Sequence, residues 1–387
     1  MLPPNQRVFG NNGATGLIEE LAWDGSRVWS FQLATDRYQL HHDAIPMPNG
    51  NVLAIAWERH TADEAIAMGR NPALLNPATN REVWSEAIFE IKPDRTDGVG
   101  GDIVWEWHLK DHLVQQRYPT RPNYGIVGLN PQLVHLNYVP LSVPGADTHI
   151  ADWAHFNSID YNPALDQIIV SSREFSEIWV IDHSTTTAQA AGHVGGRYGK
   201  GGDLLWRYGN PASWNGGTRA NQSLYFQHNA QWIDPGLPGA GNILVFNNGW
   251  FRTNGLSYSS VMEIQPAGYG RARLSWQYVA PAPASFFAAI VSGAQRLANG
   301  NTLITEGTTG RLFEVTRTRA IVWQYVNPMI RTGPLARSAV PPPIQVSGLN
   351  RLPNVSANIT FRSLRYAPTF AGFAGKTLTA GSPIELP

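Results

Sequence analysis

Two short segments, Asp152-Trp153-Ala154-His155-Phe156-Asn157-Ser158 and Ser171-Ser172-Arg173-Glu174-Phe175-Ser176, set an imidazole and a guanidinium eighteen residues apart. A guanidinium grips an oxyanion with paired N–H donors, and an imidazole titrating near neutrality can give a proton to that anion or take one from its partner. The pair therefore reads as an anion site. His42-Asp43-Ala44 and His228-Asn229-Ala230 stand in contexts like that of His155-Phe156-Asn157. Three imidazoles and Arg173 are expected to converge on one pocket, with Ser292 in a matching slot.

Each of these residues also has a plainer reading. A single histidine in a strand is more often a hydrogen-bonded structural group than a catalyst; three in register shift that balance. Arg173 alone reads equally well as an ion-pair partner of Glu174 or Glu177. Trp153, Trp232 and Tyr225 read as core aromatics ahead of a substrate wall, and His41, His108 and His112 as structural or loop residues. Asp43 would orient an imidazole only if strand neighbours did not face opposite sides. Three histidines also fit zinc, but a guanidinium among the ligands would repel a divalent cation, so neither a metal nor a cofactor is expected. No Gly-rich phosphate loop, Gly-x-Ser-x-Gly elbow or His-Glu-x-x-His helix occurs.

The elements that must hold these groups are written in tryptophan. Five segments contain an aromatic-x-aromatic pair: Trp29-Ser30-Phe31, Trp105-Glu106-Trp107, Trp206-Arg207-Tyr208, Trp276-Gln277-Tyr278 and Trp323-Gln324-Tyr325. Each has the period-two pattern of a strand. Four follow a short apolar strand with one acid, at Glu90, Asp182, Glu263 and Glu314. Turns such as Pro48-Asn49-Gly50-Asn51 and Ala298-Asn299-Gly300-Asn301 come earlier in the unit, and Asn-Gly predicts tight hairpins with positive φ at both residues. Counting back from the turn asparagines puts His42 and Ser292 at one inner-strand position. Ser347-Gly348-Leu349-Asn350 begins a further copy of the Ser292 segment.

A four-stranded antiparallel unit repeated in this way predicts an all-β fold, a β-propeller in a single domain over 1–387. Repeat counting makes five blades visible, or six if the outer-type strands at Leu17–Leu21 and Arg27–Phe31 and the last inner strand belong to separate blades. Two sandwich domains would also contain many short strands, but would not repeat one aromatic signature. Residues 111–152 and 185–202 carry no repeat and read as long loops.

Composition agrees. Charged residues are 15% of the 387, against about 25% in an average soluble domain, while 37 Gly and 28 Pro imply many turns. Fourteen Trp, thirteen Tyr and fourteen Phe supply a large core, and the absence of cysteine excludes disulfides and thiolate chemistry. Zero formal net charge without a basic run leaves no footprint for nucleic acid. No apolar run is long enough for membrane insertion, and Met1-Leu2-Pro3-Pro4-Asn5 lacks a signal-peptide pattern.

The joint motif Asp152-Trp153-x-His155-x-Asn157-Ser158 and Asp166 through Asp182 with Ser171-Ser172-Arg173-Glu174-Phe175-Ser176, together with His42-Asp43 and Gln227-His228, resembles the bacterial arylsulfotransferase family. The similarity runs from about Gly16 to Phe361-Arg362-Ser363-Leu364-Arg365-Tyr366. It implies a six-bladed propeller and an extracytoplasmic enzyme, periplasmic or secreted, that moves a sulfuryl group from an aryl sulfate to a phenol without a nucleotide donor. By motif position His228 resembles the nucleophile, and His155, Asn157, Arg173 and His42 the groups around the sulfate. The best-known relatives carry an N-terminal β domain and a cysteine pair; this chain resembles a shorter branch. A hydrolase or lyase on a sulfated or acidic carbohydrate, and a ligand-binding propeller without catalysis, remain alternatives at this point.

Overall fold

The computed structural model describes residues 8–10, 13–140, 151–346, 354–379 and 381–385. Nearly all regular structure in it is β. Strands β1 (Leu17–Leu21) and β2 (Arg27–Gln32) form a hairpin. β3 (Tyr38–Pro46), β4 (Val52–His60), β5 (Val83–Pro93) and β6 (Gly101–His108) follow as a four-stranded antiparallel meander. β7 (Leu113–Val114) and β8 (Val134–His135) make a short parallel ladder. A second meander contains β9 (Phe156–Asn162), β10 (Gln167–Ser172), β11 (Glu177–Asp182) and β12 (Trp206–Tyr208). The third contains β13 (His228–Trp232), β14 (Ile243–Asn247), β15 (Ser260–Pro266) and β16 (Ala272–Tyr278), and the fourth β17 (Gly293–Arg296), β18 (Thr302–Glu306), β19 (Arg311–Val315) and β20 (Ile321–Val326). A last two-stranded pair joins β21 (Met329–Ile330) to β22 (Gly333–Pro334).

Every aromatic-x-aromatic pair falls on the last strand of its set, as the repeat predicts. The described residues contain four such complete sheets, the unit of which propeller blades are made, and the N-terminal hairpin supplies only outer-type strands. Most of the further repeat copy that begins at Ser347 lies outside the described residues.

Hydrogen bonds explain why tryptophan recurs. The leading indole of three of the five pairs donates to the turn that precedes another outer strand: Trp29 Nε1 to Gly100 O at 2.7 Å, Trp206 to Arg271 O at 3.2 Å and Trp276 to Arg317 O at 2.9 Å. Trp105 Nε1 donates to Thr185 Oγ1 at 3.2 Å. The recurring acid is the matching device. Glu90 Oε1 accepts from Asn49 and Asn51, Glu263 Oε1 from Asn242, and Glu314 Oε1 from Asn299 and Asn301. The second oxygens go elsewhere, Glu90 Oε2 to His183 Nε2 at 2.9 Å and Glu263 Oε2 to Arg296 and Arg317 at 2.8 and 2.7 Å. Asp182 departs from this pattern and accepts from Ser184 and Tyr198. The asparagine turns also differ from the expectation. Gly50 (φ 86) and Gly300 (φ 85) occupy the left-handed region, but Asn49 and Asn299 do not. Each asparagine instead uses its side chain, accepting from the N–H two residues on and donating to the glutamate, so these loops are longer than two-residue hairpin turns.

The chain divides into two compact units, one running to Tyr225 and adding Pro266–Ala272, the other comprising Phe226–Gln265 and continuing from Arg273. In the first, Ile55, Ile88, Trp107, Trp153, Phe156, Phe175 and Trp179 pack between the sheets β3–β6 and β9–β12. In the second, Phe246, Trp276, Tyr278, Phe286, Ile304 and Phe313 pack likewise between the other two. Two short helices interrupt the β pattern, α1 (Ala62–Ala67) and α2 (Thr187–Ala190), each opened by a threonine capping box. Among the described residues no helix is long and apolar enough to cross a membrane.

Candidate active site

In the first unit His42 lies within β3 and His155 immediately before β9, both in left-handed backbone with φ of 50° and 53°. Non-glycine residues occupy that region at a cost of about 1–3 kcal/mol, which the surrounding structure must hold in place. The ladder slips beside each of them, between Leu40 and Ala44 on β3 and opposite Phe156 on β10. A bulge re-aims side chains that strict alternation would send apart. The two rings meet edge to face with centroids 4.6 Å apart. Gly13 closes over His42: its carbonyl accepts the His42 N–H at 2.8 Å, and a Cβ there would lie 2.1 Å from the ring.

Behind His42 lies a buried chain of polar groups. Glu86 Oε2 is 2.8 Å from His41 Nε2, and His41 Nδ1 is 2.9 Å from His42 Nδ1. Burial, reinforced by the Asp152 charge, holds the Glu86 carboxyl well above the usual range, and burial pushes His41 down to about 3. Both shifts favour the uncharged forms. Glu86 Oε1 accepts the Phe156 N–H at 2.8 Å. His41 Nδ1 in turn faces His42 Nδ1, so the two rings share one hydrogen between them.

His155 is held by Asp152, whose Oδ2 lies 2.5 Å from Nδ1 while Oδ1 accepts the Trp57 indole at 2.8 Å. Trp57 in turn stacks on His41 with centroids 4.2 Å apart. Burial works against protonation of His155, but the charge and hydrogen bond of Asp152 together outweigh it and hold its pKa above the ordinary histidine value, with Arg173 opposing. Arg173 is tied to the same place, since its N–H donates to His155 O at 3.0 Å. Its guanidinium pairs through Nη1 with Glu174, the local ion pair open in the sequence; Glu177 pairs with Arg207 instead. Asn157 is fully buried on β9. Asp43 accepts the Ile159 N–H at 3.1 Å through Oδ2 and so joins β3 to β9.

In the second unit His228 opens β13. Its Nδ1 faces two oxygens, Asn248 Oδ1 at 2.8 Å and Phe226 O at 3.2 Å. A backbone carbonyl only accepts, and Asn248 is oriented by its amide N–H bonds to Ala288 O and Val291 O at 2.8 and 3.1 Å. Nδ1 therefore carries hydrogen, and in the neutral ring Nε2 carries the lone pair. Asn229 (φ 53) and Ser292 (φ 87) repeat the left-handed conformation seen at His42 and His155. The Ser292 hydroxyl accepts from Gly307 N at 2.9 Å and donates to Ile290 O at 3.3 Å.

Of the residues singled out in the sequence, His42, His155, Arg173 and Asn157 belong to the first unit, where the two rings and Arg173 come together. His228 and Ser292 belong to the second. Sequence reasoning missed Glu86, His41 and Asn248 as positioning groups. Asp152 was part of the motif, yet its two-sided role was not visible. One signal for Glu86 was available: it is a second acid, beside Glu90, in the largely apolar strand Val83–Pro93, and carboxylates are rarely buried without partners.

The family model described as Arylsulfotransferase (ASST) matches residues 18–328 of the chain. No curated protein matches it. Solved structures similar to it include a protein of unknown function from Bacteroides caccae, at 13% identity and TM-score 0.41, covering 81% of this chain and 75% of that one. A selenomethionine-substituted virginiamycin B lyase from Staphylococcus aureus aligns at 11% identity and TM-score 0.34, covering 81% and 64%. A periplasmic gluconolactonase of Pseudomonas aeruginosa aligns at 11% and 0.36, covering 79% and 63%. The match thus spans less than two thirds of the length of the lyase and the lactonase.

Proposed function

Because this chain belongs to the arylsulfotransferase family, which supports aryl sulfotransferase activity in the broad sense and small aryl substrates, we propose that it moves a sulfuryl group from an aryl sulfate to a phenol through a sulfohistidine on His228. The observation that carries this reading is the tautomer of His228, with hydrogen on Nδ1 and the lone pair on Nε2. A neutral imidazole so oriented is an activated nucleophile that needs no separate base.

In the first step Nε2 attacks sulfur, the N–S bond forms and the S–O bond to the aryl group breaks. His155, whose protonated form the Asp152 carboxylate favours, is the group the family resemblance assigns to give its proton to the departing aryl oxygen. The family resemblance assigns Arg173, Asn157 and His42 to the non-bridging oxygens, whose charge distribution changes in the transition state. In the second step the acceptor phenol loses its proton to His155 and its oxygen takes the sulfuryl group, so the N–S bond breaks and His228 is regenerated. The balance requires no nucleotide donor. An extracytoplasmic place of action, periplasmic or secreted, is part of the proposal and rests on the resemblance alone.

The test is intact-mass analysis after mixing with 4-nitrophenyl sulfate. One covalent sulfuryl group adds about 80 Da, the signature of a nucleophilic intermediate. The adduct should be absent in His228→Ala, and added phenol should discharge it and speed nitrophenol release. In Asn248→Ala, where the hydrogen is no longer directed to Nδ1, kcat should fall about 100-fold or more, as loss of a tautomer-setting partner does elsewhere. Nitrophenol release that phenols do not accelerate would make the enzyme a hydrolase. Turnover undiminished in His228→Ala would end the proposal.

A further inference from the structure

Two segments without repeat, one following β6 and one between β11 and β12, meet at a cluster that the proposed chemistry does not use. His112 is fully buried and lies flat on Trp107, with ring centroids 5.3 Å apart and an interplanar angle of 5°. Its Nε2 is 2.8 Å from Ala190 O and its Nδ1 is 2.9 Å from Asp203 Oδ1. His193 brings its own Nδ1 to the same carboxylate oxygen at 2.8 Å. The Ala190 carbonyl only accepts, so the His112 Nε2 carries hydrogen. In the neutral ring the Nδ1 lone pair then points at a carboxylate oxygen, and two acceptors facing each other in a buried place repel. A positive centre belongs on that line, either a second proton or a metal ion.

We propose that His112 Nδ1, His193 Nδ1 and Asp203 Oδ1 bind one divalent cation of the zinc type. The three ligand atoms lie within 4.8 Å of one another, and the two rings stand at 86°, so their nitrogens approach the oxygen from different directions. Two nitrogens and one carboxylate oxygen are a donor set that suits zinc, with remaining positions open to solvent on the His193 side. The bond from His112 Nε2 to Ala190 O is the kind of outer contact that fixes the ring orientation of a metal-ligating histidine. Gly202 allows the backbone to close here, because a Cβ would lie 2.6 Å from that nitrogen. Tetrahedral zinc, with bonds of about 2.0–2.1 Å, separates its ligand atoms by about 3.3 Å, so the ligands must spread by about half an ångström. His193, 59% exposed and next to Gly192, can supply that movement. The ion would tie the segment carrying α2 to the β6–β7 connection.

The full chain, stripped with chelator and dialysed, would be titrated with Zn²⁺ by calorimetry and with Co²⁺ by visible absorption. About one equivalent should bind, with Co²⁺ bands of a four- or five-coordinate site. His193→Ala, an exposed change that leaves the fold intact, and Asp203→Asn should each weaken binding by at least about 10-fold, a loss that even outer contacts of a metal site produce. His155→Ala should bind as the unaltered chain does, which separates this cluster from the proposed sulfate site. No retained metal, or binding unchanged in His193→Ala, would overturn the proposal and leave a buried imidazolium–carboxylate pair as the cluster's character.

Discussion

His155 sits under opposing influences: burial favours the neutral ring, and the carboxylate of Asp152 favours the imidazolium and wins. A step that needs protonated His155 is fully available below the raised pKa and fades as pH rises through it. Asp152→Asn keeps an acceptor for the Trp57 indole but removes the charge. The alkaline limb of kcat/KM should therefore move to lower pH, with a lower plateau, while the acid limb stays in place; an unmoved alkaline limb would assign that limb to another group. His42 and His228 show a second residue-scale device, rings oriented by neighbours, Glu86 through His41 for one and Asn248 for the other. The identities of these histidines were legible from their contexts in the chain. Their orienting partners were not, because Glu86 and Asn248 reach them from 44 and 20 residues away.

At the scale of the element, the regular features of the sequence turn out to be links between elements. The indoles of Trp29, Trp206 and Trp276 donate to backbone turns, and Glu90 and Glu263 divide their oxygens between an asparagine turn and a second partner. This is why a period could be read without knowing the fold. The pair Glu177 and Arg207 is different: both side chains are fully buried, and Arg207 also donates to Leu133 O and Ser213 Oγ. Removing one member strands the other charge, so Glu177→Gln should destabilise by about 3–5 kcal/mol. A double replacement by apolar residues, Glu177→Leu with Arg207→Met, should recover part of that loss in urea unfolding. A single change costing under about 1 kcal/mol would show that water or neighbouring dipoles already compensate the pair.

For the molecule as a whole, the buried titratable groups set an acid limit. Burial pushes His41 down to about 3 and His60 to about 4 from the ordinary 6.5. Glu58 would be raised by burial, but hydrogen bonds and charges from His108, His60 and Lys110 outweigh that and bring it to about 2; His183 and the turn asparagines do the same for Glu90. In each case the unfolded chain binds the proton first, so stability rises with pH across the window. The histidine contribution should be lost as pH falls from about 6.5 toward 4 and 3, and the carboxylate contribution from about 4.5 toward 2. Calorimetric Tm should drop through both windows, starting above pH 5, where carboxylates alone would leave it flat. Glu86 and His155 act in the opposite sense, losing their contribution as pH rises.

The chain by itself determined the all-β class, the four-strand unit and the place of each tryptophan pair on the last strand of its set, and it pointed to the histidines and arginine proposed for the site. These follow from local pattern, since period-two strands and turn residues are written in consecutive positions. Only the tertiary structure decided that Arg173 pairs with Glu174, that Asp43 serves the backbone of β9, and that the Ser292 hydroxyl is occupied by Gly307 and Ile290. It also decided that Nδ1 of His228 faces its two acceptors, and that His112, His193 and Asp203 meet. Protonation and pairing depend on dielectric surroundings and on partners distant in sequence, and neither exists until the sheets have packed.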